Sequence, residues 1–347
     1  MNKSKYFFNI FISFKYKKII LFFLIIIFII YSFVWLIIAE SIKIKLYKIN
    51  SGTYNISINN IKVYGYPLSY KIKADKFNLH STNYPKIKWS SDNLDGHTNL
   101  FKPYNFNFNF NKNEINFIRN INDKPIIETY IEKIFVQFDY RNIKNSRKIK
   151  FNIKNIKFNL NEGNLNYMID NLNISIKRIV IDSQKKKYLV NMGLKNFIGK
   201  HKLFQIIGAP IKLSEAKVSF PSYNDEFNLN QWRKSGGVLD FEINKFEWGK
   251  IKINSYGTAS IDKNMKPIGA LTLDAQNINY LINSMQSAEI ISSLQGSIIK
   301  IALKLFGSRL DENLMKIPIT VQSENIFIGS LKISDTFLPS IDLKILK

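Results

Sequence analysis

Residues 106–110 of this 347-residue chain read Phe-Asn-Phe-Asn-Phe, an alternation of apolar and polar side chains that is typical of a β-strand. Successive side chains of a strand point to opposite faces, so this segment has one apolar face and one hydrated face. The same period of two occurs at residues 54–58, 151–153 and 156–160, which we interpret as separate strands. Residues 42–46 alternate in the same way and are predicted to form a further strand.

Short turn signals separate the alternating segments. They are Gly, Asn, Asp and Ser residues at Ser51-Gly52, Gly65, residues 161–163, Gly236-Gly237 and residues 262–264. Connections as short as these join antiparallel strands, because parallel neighbours need long crossovers. The sequence therefore predicts a mainly β protein with an elongated, curved antiparallel sheet or sheets.

Two helical regions are predicted within this β-rich part of the chain, near residues 223–235 and 277–307. Acidic residues at the start of the first region suit a helix N-terminus, and Gly236-Gly237 suits its end. In the second region apolar residues recur every three or four positions, and Gly296 leaves open whether it is one helix or two. We expect its apolar stripe to pack against the sheet; a lipid-facing or lid role is the alternative.

The longest apolar run is Ile19–Ala39, which reads IILFFLIIIFIIYSFVWLIIA and contains no charged residue. At about 1.5 Å per residue, its 21 residues match a hydrocarbon core of about 30 Å. A cleavable signal peptide would have a shorter apolar core and a small residue two positions before Ala39, where this chain has Ile37. The sequence therefore favours an uncleaved transmembrane helix over residues 19–39.

The residues that flank this run predict its orientation. Five lysines and no acidic residue precede it, and positively charged flanks stay in the cytoplasm. We therefore expect residues 1–18 to be cytoplasmic and residues 40–347 to form a periplasmic β-rich domain, with a possible sub-boundary near 222–237. The predicted location is the bacterial inner membrane, with residues 19–39 contacting the lipid bilayer.

The chain has a formal net charge of +24, which raises the question of a nucleic-acid partner. Only six of its 50 basic residues are Arg, the residue that reads guanine and phosphate with bidentate contacts. Lys, Asn and Ile share A/T-rich codons, so a compositional bias explains most of the charge. Attraction to acidic lipid headgroups is the alternative explanation. We predict no nucleic-acid partner.

No specific catalytic or metal-binding pattern occurs in the sequence. The chain has no Cys and three His, which excludes disulfides and thiolate metal sites. His80 and His97 flank Asp92 and Asp95, residue types that bind zinc, but we interpret them as polar residues on loops beside the strand of Trp89. We therefore predict that the protein is not an enzyme and has no catalytic residue, metal or cofactor.

Two groups of Trp, Gly and Pro residues resemble the pattern of a known family. The larger group consists of Trp232, Gly236, Gly237, Leu239, Trp248, Gly249, Gly257, Thr258, Asp262, Pro267 and Gly269. The smaller group is Val63–Leu68, which includes Gly65, Tyr66 and Pro67, followed by Trp89 and Pro103. In these residues the chain is similar to a mostly alphaproteobacterial family, domain of unknown function 2125, of uncharacterised membrane-anchored proteins.

The layout of one N-terminal helix before a long sheet resembles, more loosely, the AsmA-like envelope proteins. That resemblance implies a role in lipid or outer-membrane homeostasis and supplies no catalytic residue. We interpret the family-like residues as structural. Gly65-Tyr66-Pro67 would bend the chain between two strands, Trp248-Gly249 would form a bulge or tight corner, and Pro267–Gly269 would close a turn.

Three functions remain open from the sequence. The first is a non-enzymatic envelope protein whose apolar sheet face binds or guides lipid. The second is a structural or assembly partner of other envelope proteins that has no ligand. The third is an envelope hydrolase, which would need a pocket with convergent polar groups. The apolar N-terminal run and the alternating strands favour the first.

Overall fold

The computed structural model of the protein describes residues 4–48, 54–81, 86–99, 102–118, 125–142, 146–160, 165–181, 186–222, 229–322 and 325–334. In these ranges the helices are α1 (Ser4–Tyr47), α2 (Lys202–Ile207), α3 (Leu229–Lys234), α4 (Ile278–Ser287) and α5 (Ser293–Phe306). The strands are β1 (Tyr54–Asn59), β2 (Lys62–Tyr64), β3 (Ser69–Ala74), β4 (Lys76–Ser81), β5 (Lys86–Asn99), β6 (Lys102–Ile118), β7 (Ile127–Asn142), β8 (Ser146–Leu160), β9 (Leu165–Val180), β10 (Lys186–Gly199), β11 (Ile211–Ser222), β12 (Leu239–Trp248), β13 (Ile251–Ile261), β14 (Pro267–Gln276), β15 (Ser308–Arg309), β16 (Leu314–Gln322), β17 (Asn325–Ile328) and β18 (Leu331–Ser334).

The strands in the described residues form one open antiparallel sheet. From β5 to β14 each strand pairs with the next one along the chain. At one end β3 and β4 lie end to end along β5, and β2 and β1 pair with them. At the other end β14 pairs with β16, which carries β15 and β17, and β18 follows. This confirms the predicted mainly β fold with antiparallel strands. The sheet continues from β11 to β12 across residues 222–237.

Helix α1 contains the predicted membrane segment and extends beyond it at both ends. The prediction of a strand over residues 42–46 is therefore wrong. Ile42 and Leu46 are four residues apart, so they lie on one face of a helix, and both pack against the core of the sheet. Lys43 and Glu40 form a salt bridge of 3.5 Å along this helix. Residues 42–46 also continue a helix that has already formed, so they do not need a new helix nucleus.

The other two predicted helical regions are confirmed, with different bounds. The first is the short helix α3, while residues 223–228 lie outside the described residues. The second consists of two helices, α4 and α5. A capping box starts α5: the Ser292 hydroxyl accepts from the Gln295 N–H at 3.1 Å, and the Gln295 side chain accepts from the Ser292 N–H at 2.8 Å. This pair ends the connection between the two helices and sets the start of α5.

Strands β6 to β10 each carry one extra residue at the same level of the sheet. Inward-facing residues are two apart along most of a strand, but they are three apart at this level, as from Ile153 to Ile156 in β8 and from Leu194 to Phe197 in β10. The extra residues are Lys112, Glu132, Asn155, Asp170 and Asn196, and we call this row the extra-residue line. The prediction of two strands over residues 151–153 and 156–160 is wrong, because β8 runs through both.

The extra-residue line leaves the strand register unchanged. One extra residue in one strand alone makes a bulge and shifts the register by one residue. Here neighbouring strands carry their extra residues opposite each other, so that Ile131 pairs with Ile156 and Lys133 pairs with Lys154 on its two sides. All strands from β6 to β10 therefore change the phase of their alternation together, and apolar residues stay on one face.

Left-handed residues and side-chain hydrogen bonds hold this line. Lys112, Asn155 and Asn196 have φ values of 52°, 52° and 55°, a region in which Asn is enriched. The Asn196 amide donates to the Asp170 carboxylate at 2.7 Å, and the Asn155 amide donates to the Glu132 carboxylate. Each of these Asn side chains thus ties its left-handed residue to the neighbouring strand.

Buried side chains form three large clusters on the apolar face. The first lies over β1 to β8 and includes Ile72, Phe110 and Val136. The second lies where α4 and α5 cover β14, β16 and β17. The third joins α2 to the ends of β12 and β13.

Lys202 of α2 binds Glu289 at 2.6 Å. This hydrogen bond and the charge of Lys202 hold the pKa of the Glu289 carboxyl below its usual range.

We predict that Asn155→Ala destabilises the protein by about 1–2 kcal/mol, because Asn tolerates the left-handed region better than Ala does and the substitution also removes the hydrogen bond to Glu132. Asn155→Gly is the matched control: it removes the same amide but has no Cβ, so it should retain more stability than Asn155→Ala. Urea unfolding of the full chain in detergent, followed by circular dichroism, measures both. Equal stability of the two variants would contradict a role for backbone conformation at this residue.

Candidate functional site

The inward faces of neighbouring strands join into one continuous apolar surface. One row across β8 to β12 consists of Ile149, Ile176, Val190, Val218 and Phe241. The next row consists of Phe151, Ile174, Met192, Ala216 and Ile243. Every residue in both rows is apolar, so this part of the sheet offers dispersion and hydrophobic contacts without a charged group.

The middle of this surface is less covered than its ends. We define the central floor as Ile174, Ile176, Val190, Met192, Val218, Phe241 and Ile243. All seven are half-buried, and among the described residues none belongs to a cluster of buried side chains. Three of the helices pack elsewhere: α1 on β1 and β2, α4 on β13, and α5 on β16, β17 and β18.

The size of the central floor suits an extended hydrocarbon chain. It crosses four strands, and three strand spacings of about 4.8 Å make it about 14 Å wide. One acyl chain spans half of the hydrocarbon core of a bilayer, a length of about 15 Å, which is close to the width of the floor. Ala216 lies beside Ile243, and Gly257 lies beside Phe241.

The opposite face of the same strands is polar. Lys150, Asn152, Asn173 and Asn191 lie there, around a shallow cavity of about 410 Å³. The Asn152 amide donates to the Asn171 side-chain oxygen at 3.4 Å, a contact between neighbouring strands. The sheet therefore has one hydrated face and one apolar face, as the alternation in the sequence predicts.

Gly65, Tyr66 and Pro67 lie in the connection between β2 and β3, beside helix α1. The φ of Gly65 is 105°, which a residue with a Cβ rarely adopts, and the Tyr66–Pro67 peptide bond is cis. The Tyr66 hydroxyl is 2.6 Å from the Ser32 hydroxyl of α1, and the Tyr31 hydroxyl donates to the Pro67 carbonyl. These residues join the sheet to the helix.

Trp232, Gly236 and Gly237 form the end of helix α3. Gly236 has a φ of 70°, and its N–H donates to the Arg233 carbonyl at 3.0 Å. The Gly237 N–H donates to the Trp232 carbonyl at 2.9 Å. Trp232 is buried, and a Cβ at Gly237 would lie 2.3 Å from its indole ring. The absence of a side chain at residue 237 is therefore what allows the indole to pack there.

Trp248 and Gly249 lie at the tight corner between β12 and β13. Trp248 is buried in the third cluster, where its ring centre is 4.9 Å from that of Phe204 and its indole N–H donates to the Ala209 carbonyl at 2.9 Å. Gly249 has a φ of 59° in the turn. The pair fixes the end of β12 against α2.

Gly257, Pro267 and Gly269 lie on the neighbouring strands β13 and β14. Pro267 begins β14 directly after the turn of residues 262–266, in which the Asp262 carboxylate accepts from two backbone N–H groups at 2.8 Å. Gly257 lies opposite Phe241 on one side and Leu271 on the other, at the border of the central floor. Gly269 pairs with Ala259 and Val321.

The polar residues considered for metal binding lie apart on two strands. His80 is on β4 opposite Lys88, and His97 is on β5 opposite Lys71, so the prediction that they lie on loops is wrong. Within the part of the chain that the structure describes, no group of three or more His, Cys, Asp or Glu residues comes together. Lys186 is buried in β10.

The residues of the central floor were not singled out from the sequence. Their signal is present in it, because apolar residues alternate along each strand and step by three at the extra-residue line. That step interrupts the period of two, so a single strand looks like two short ones. The strand pairing is needed to show that the floor residues are neighbours.

The fold defines a class of protein with an apolar N-terminal helix and one large open antiparallel sheet. Residues 21–47 of α1 are long and apolar enough to span a membrane. Residues 211–336, which include β11 to β18, match the family model described as uncharacterized protein conserved in bacteria (DUF2125). This confirms the resemblance carried by residues 230–275, whereas residues 61–104 lie outside the match. No curated protein and no solved structure matches the chain.

We predict that an aspartate is tolerated on the central floor and not in the packed part of the same face. Val136→Asp should destabilise the protein by about 3 kcal/mol or more. Val136 is 3% exposed, so the carboxylate of the introduced Asp would be buried among apolar residues. Val190→Asp is the matched variant and should cost less than half as much, since water reaches the half-buried floor.

Urea unfolding of the full chain in detergent compares the two variants with the unmodified protein. An equally large loss of stability at residues 136 and 190 would mean that the floor is a closed core.

Proposed function

We propose that this protein is a non-catalytic, single-pass membrane protein of the bacterial envelope whose central floor binds the acyl chains of lipids. The observation that carries the proposal is the central floor itself: seven apolar side chains on four adjacent strands, all half-buried, next to packed clusters. An open apolar surface of this kind is a binding surface for an apolar ligand or partner.

The chemistry of the floor favours a hydrocarbon chain as the ligand. A water-soluble ligand needs polar groups that fix its orientation, and the two rows across β8 to β12 contain apolar side chains alone. An acyl chain needs only apolar contact area. Each Å² of apolar surface that is removed from water contributes about 25 cal/mol of favourable free energy. Acyl chains would be close to the floor, because α1 as a membrane anchor keeps the sheet beside a bilayer.

The proposed orientation places the sheet on the periplasmic side of the inner membrane. It rests on Lys3, Lys5, Lys15, Lys17 and Lys18, which precede the apolar part of α1, because such lysines stay in the cytoplasm. The lysines of the sheet, which follow α1, do not oppose this orientation, since large domains cross the membrane regardless of their charge.

We predict that Leu310→Cys in the full chain reacts with a membrane-impermeant maleimide on intact spheroplasts. Leu310 is 53% exposed in the turn before β16, and the chain has no other Cys, so the label reports this residue alone. The unmodified chain is the control and should not be labelled. Labelling of Leu310→Cys only after the cells are broken would place the sheet in the cytoplasm and overturn the proposed orientation.

Acyl-chain binding is testable by photocrosslinking in cells grown with radiolabelled fatty acid. We expect a benzoylphenylalanine at position 190 or 241 to transfer radioactivity to the protein, because both positions lie on the floor. Position 191 is the matched control: Asn191 is adjacent to Val190 and exposed on the polar face. Its benzoylphenylalanine should capture several-fold less radioactivity.

Two outcomes would overturn lipid binding by the floor. One is equal radioactivity at positions 190 and 191. The other is a crosslink from position 190 to a defined protein without radioactivity, which would favour a structural or assembly role. Val190→Asp, combined with benzoylphenylalanine at position 241, should retain the fold and lose the radiolabel, because a carboxylate on the floor disfavours a hydrocarbon chain.

A further inference from the structure

The hairpin of β2 and β3 runs alongside α1. At its open end the Ile61 N–H donates to the Tyr47 hydroxyl at 3.2 Å. Further along, Val63 packs in the same cluster as Ile42 and Ala39 of the helix. The connection between the two strands reaches back to the level of Tyr31. The hairpin therefore points along the helix toward its N-terminal, most apolar part.

The tip of this hairpin, residues 64–68, is fastened to α1 by aromatic contacts. The Tyr66 ring lies 6.0 Å from Phe28 and 5.5 Å from Trp35, measured between ring centres. Tyr70, just beyond the tip, stacks on Trp35 at 5.2 Å. Such contacts at several points along one side of the helix fix the depth of the hairpin tip relative to α1.

Several polar groups around the hairpin tip are paired with each other or with α1. The Trp35 indole N–H donates to the Ser69 carbonyl at 3.2 Å, and the Ser69 N–H donates to the Gly65 carbonyl at 3.1 Å. The hydroxyl groups of Tyr31 and Tyr66 are bound to the Pro67 carbonyl and to Ser32. Polar groups that bind one another in this way tolerate a medium without water.

The charged residues of α1 locate the bilayer along the helix. Lys18 and Glu40 bracket the apolar run, and the 21 residues between them span about 31 Å, the thickness of a hydrocarbon core. Tyr31 and Trp35 are eight and four residues before Ala39, so they lie about 12 Å and 6 Å inside that end. The hairpin tip contacts both and lies at the same depth.

Exposure and charge along the hairpin agree with this depth. Tyr64 and Leu68 are 48% and 58% exposed, so the uncharged tip presents large apolar side chains outward. The nearest charges on the two strands are Lys62, Lys71 and Lys73. Lys73 pairs with Lys62 behind the tip, and Lys71 pairs with Tyr64 at the edge of the tip. Val63, between these two pairs, packs with Ala39, so the lysines lie near the level where the apolar run of α1 ends.

We propose that the hairpin tip, residues 64–68, is embedded in the bilayer beside α1, with Lys62, Lys71 and Lys73 at the lipid headgroups. Embedding removes the side chains of Tyr64 and Leu68 from water, and the lysines are attracted to an anionic membrane surface. The embedded tip holds the β1–β5 end of the sheet against the membrane. This proposal depends on α1 spanning the bilayer and not on lipid binding by the central floor.

The test uses single cysteines in the full chain, labelled with an environment-sensitive fluorophore. The protein is reconstituted in vesicles of phosphatidylcholine and phosphatidylglycerol, with and without lipid that carries a spin label on its acyl chain. For Leu68→Cys we expect blue-shifted emission and quenching by the spin label. Leu310→Cys is the matched control, because it is also an exposed Leu in a turn, at the opposite end of the sheet. Its quenching should be several-fold weaker.

Phe28→Cys, on the exposed surface of α1, separates the possible failures. Quenching at residue 28 together with unquenched, red-shifted emission at residue 68 would overturn the embedded hairpin while leaving the membrane helix intact. Absence of quenching at residue 28 would overturn both the membrane span and the hairpin proposal. Equal quenching at residues 68 and 310 would show that the sheet lies on the membrane without a specific embedded tip, which also overturns the proposal.

Discussion

The fold depends on one constraint: strands β6 to β10 all add an extra residue at the same level of the sheet. Side chains alternate between the two faces, so an extra residue in one strand would turn its following apolar residues toward water. Glu132 opposite Asn155, and Asp170 beside both Asn155 and Asn196, show how neighbouring strands meet this constraint together. Their hydrogen bonds across the strands join the extra residues into a line, and the apolar face continues unbroken past it.

The central floor follows from that continuity and from where the helices lie. Apolar residues from successive strands form rows, but α4 and α5 cover one end of the sheet and the β1–β8 cluster fills the other. On the strands between them, β9 to β12, the seven residues of the central floor stay half-buried. A closed core would remove these side chains from water within the chain itself, whereas an open floor leaves that stabilisation to a ligand.

Helix α1 and the β2–β3 hairpin pack together at the β1–β5 end of the sheet. Their contacts run from Tyr47 at one end to Phe28 at the other, so they extend over just over five turns of the helix. The uncharged residues of the tip and the lysines behind it follow the same order as the apolar and charged parts of α1. The apolar floor and the hairpin that packs on α1 thus belong to one continuous sheet.

The sequence by itself determined the apolar helix, the antiparallel β class, the helical regions and the family-like residues 230–275. These signals are local, because they depend on spacing within one segment. The tertiary structure decided the rest. Residues 42–46 alternate like a strand, but Ile42 and Leu46 pack as one face of α1. The break between residues 153 and 156 looks like a strand end, but its partner strands make the same step. The central floor exists only through strand pairing, since its residues come from four strands and no local spacing shows which of them are neighbours.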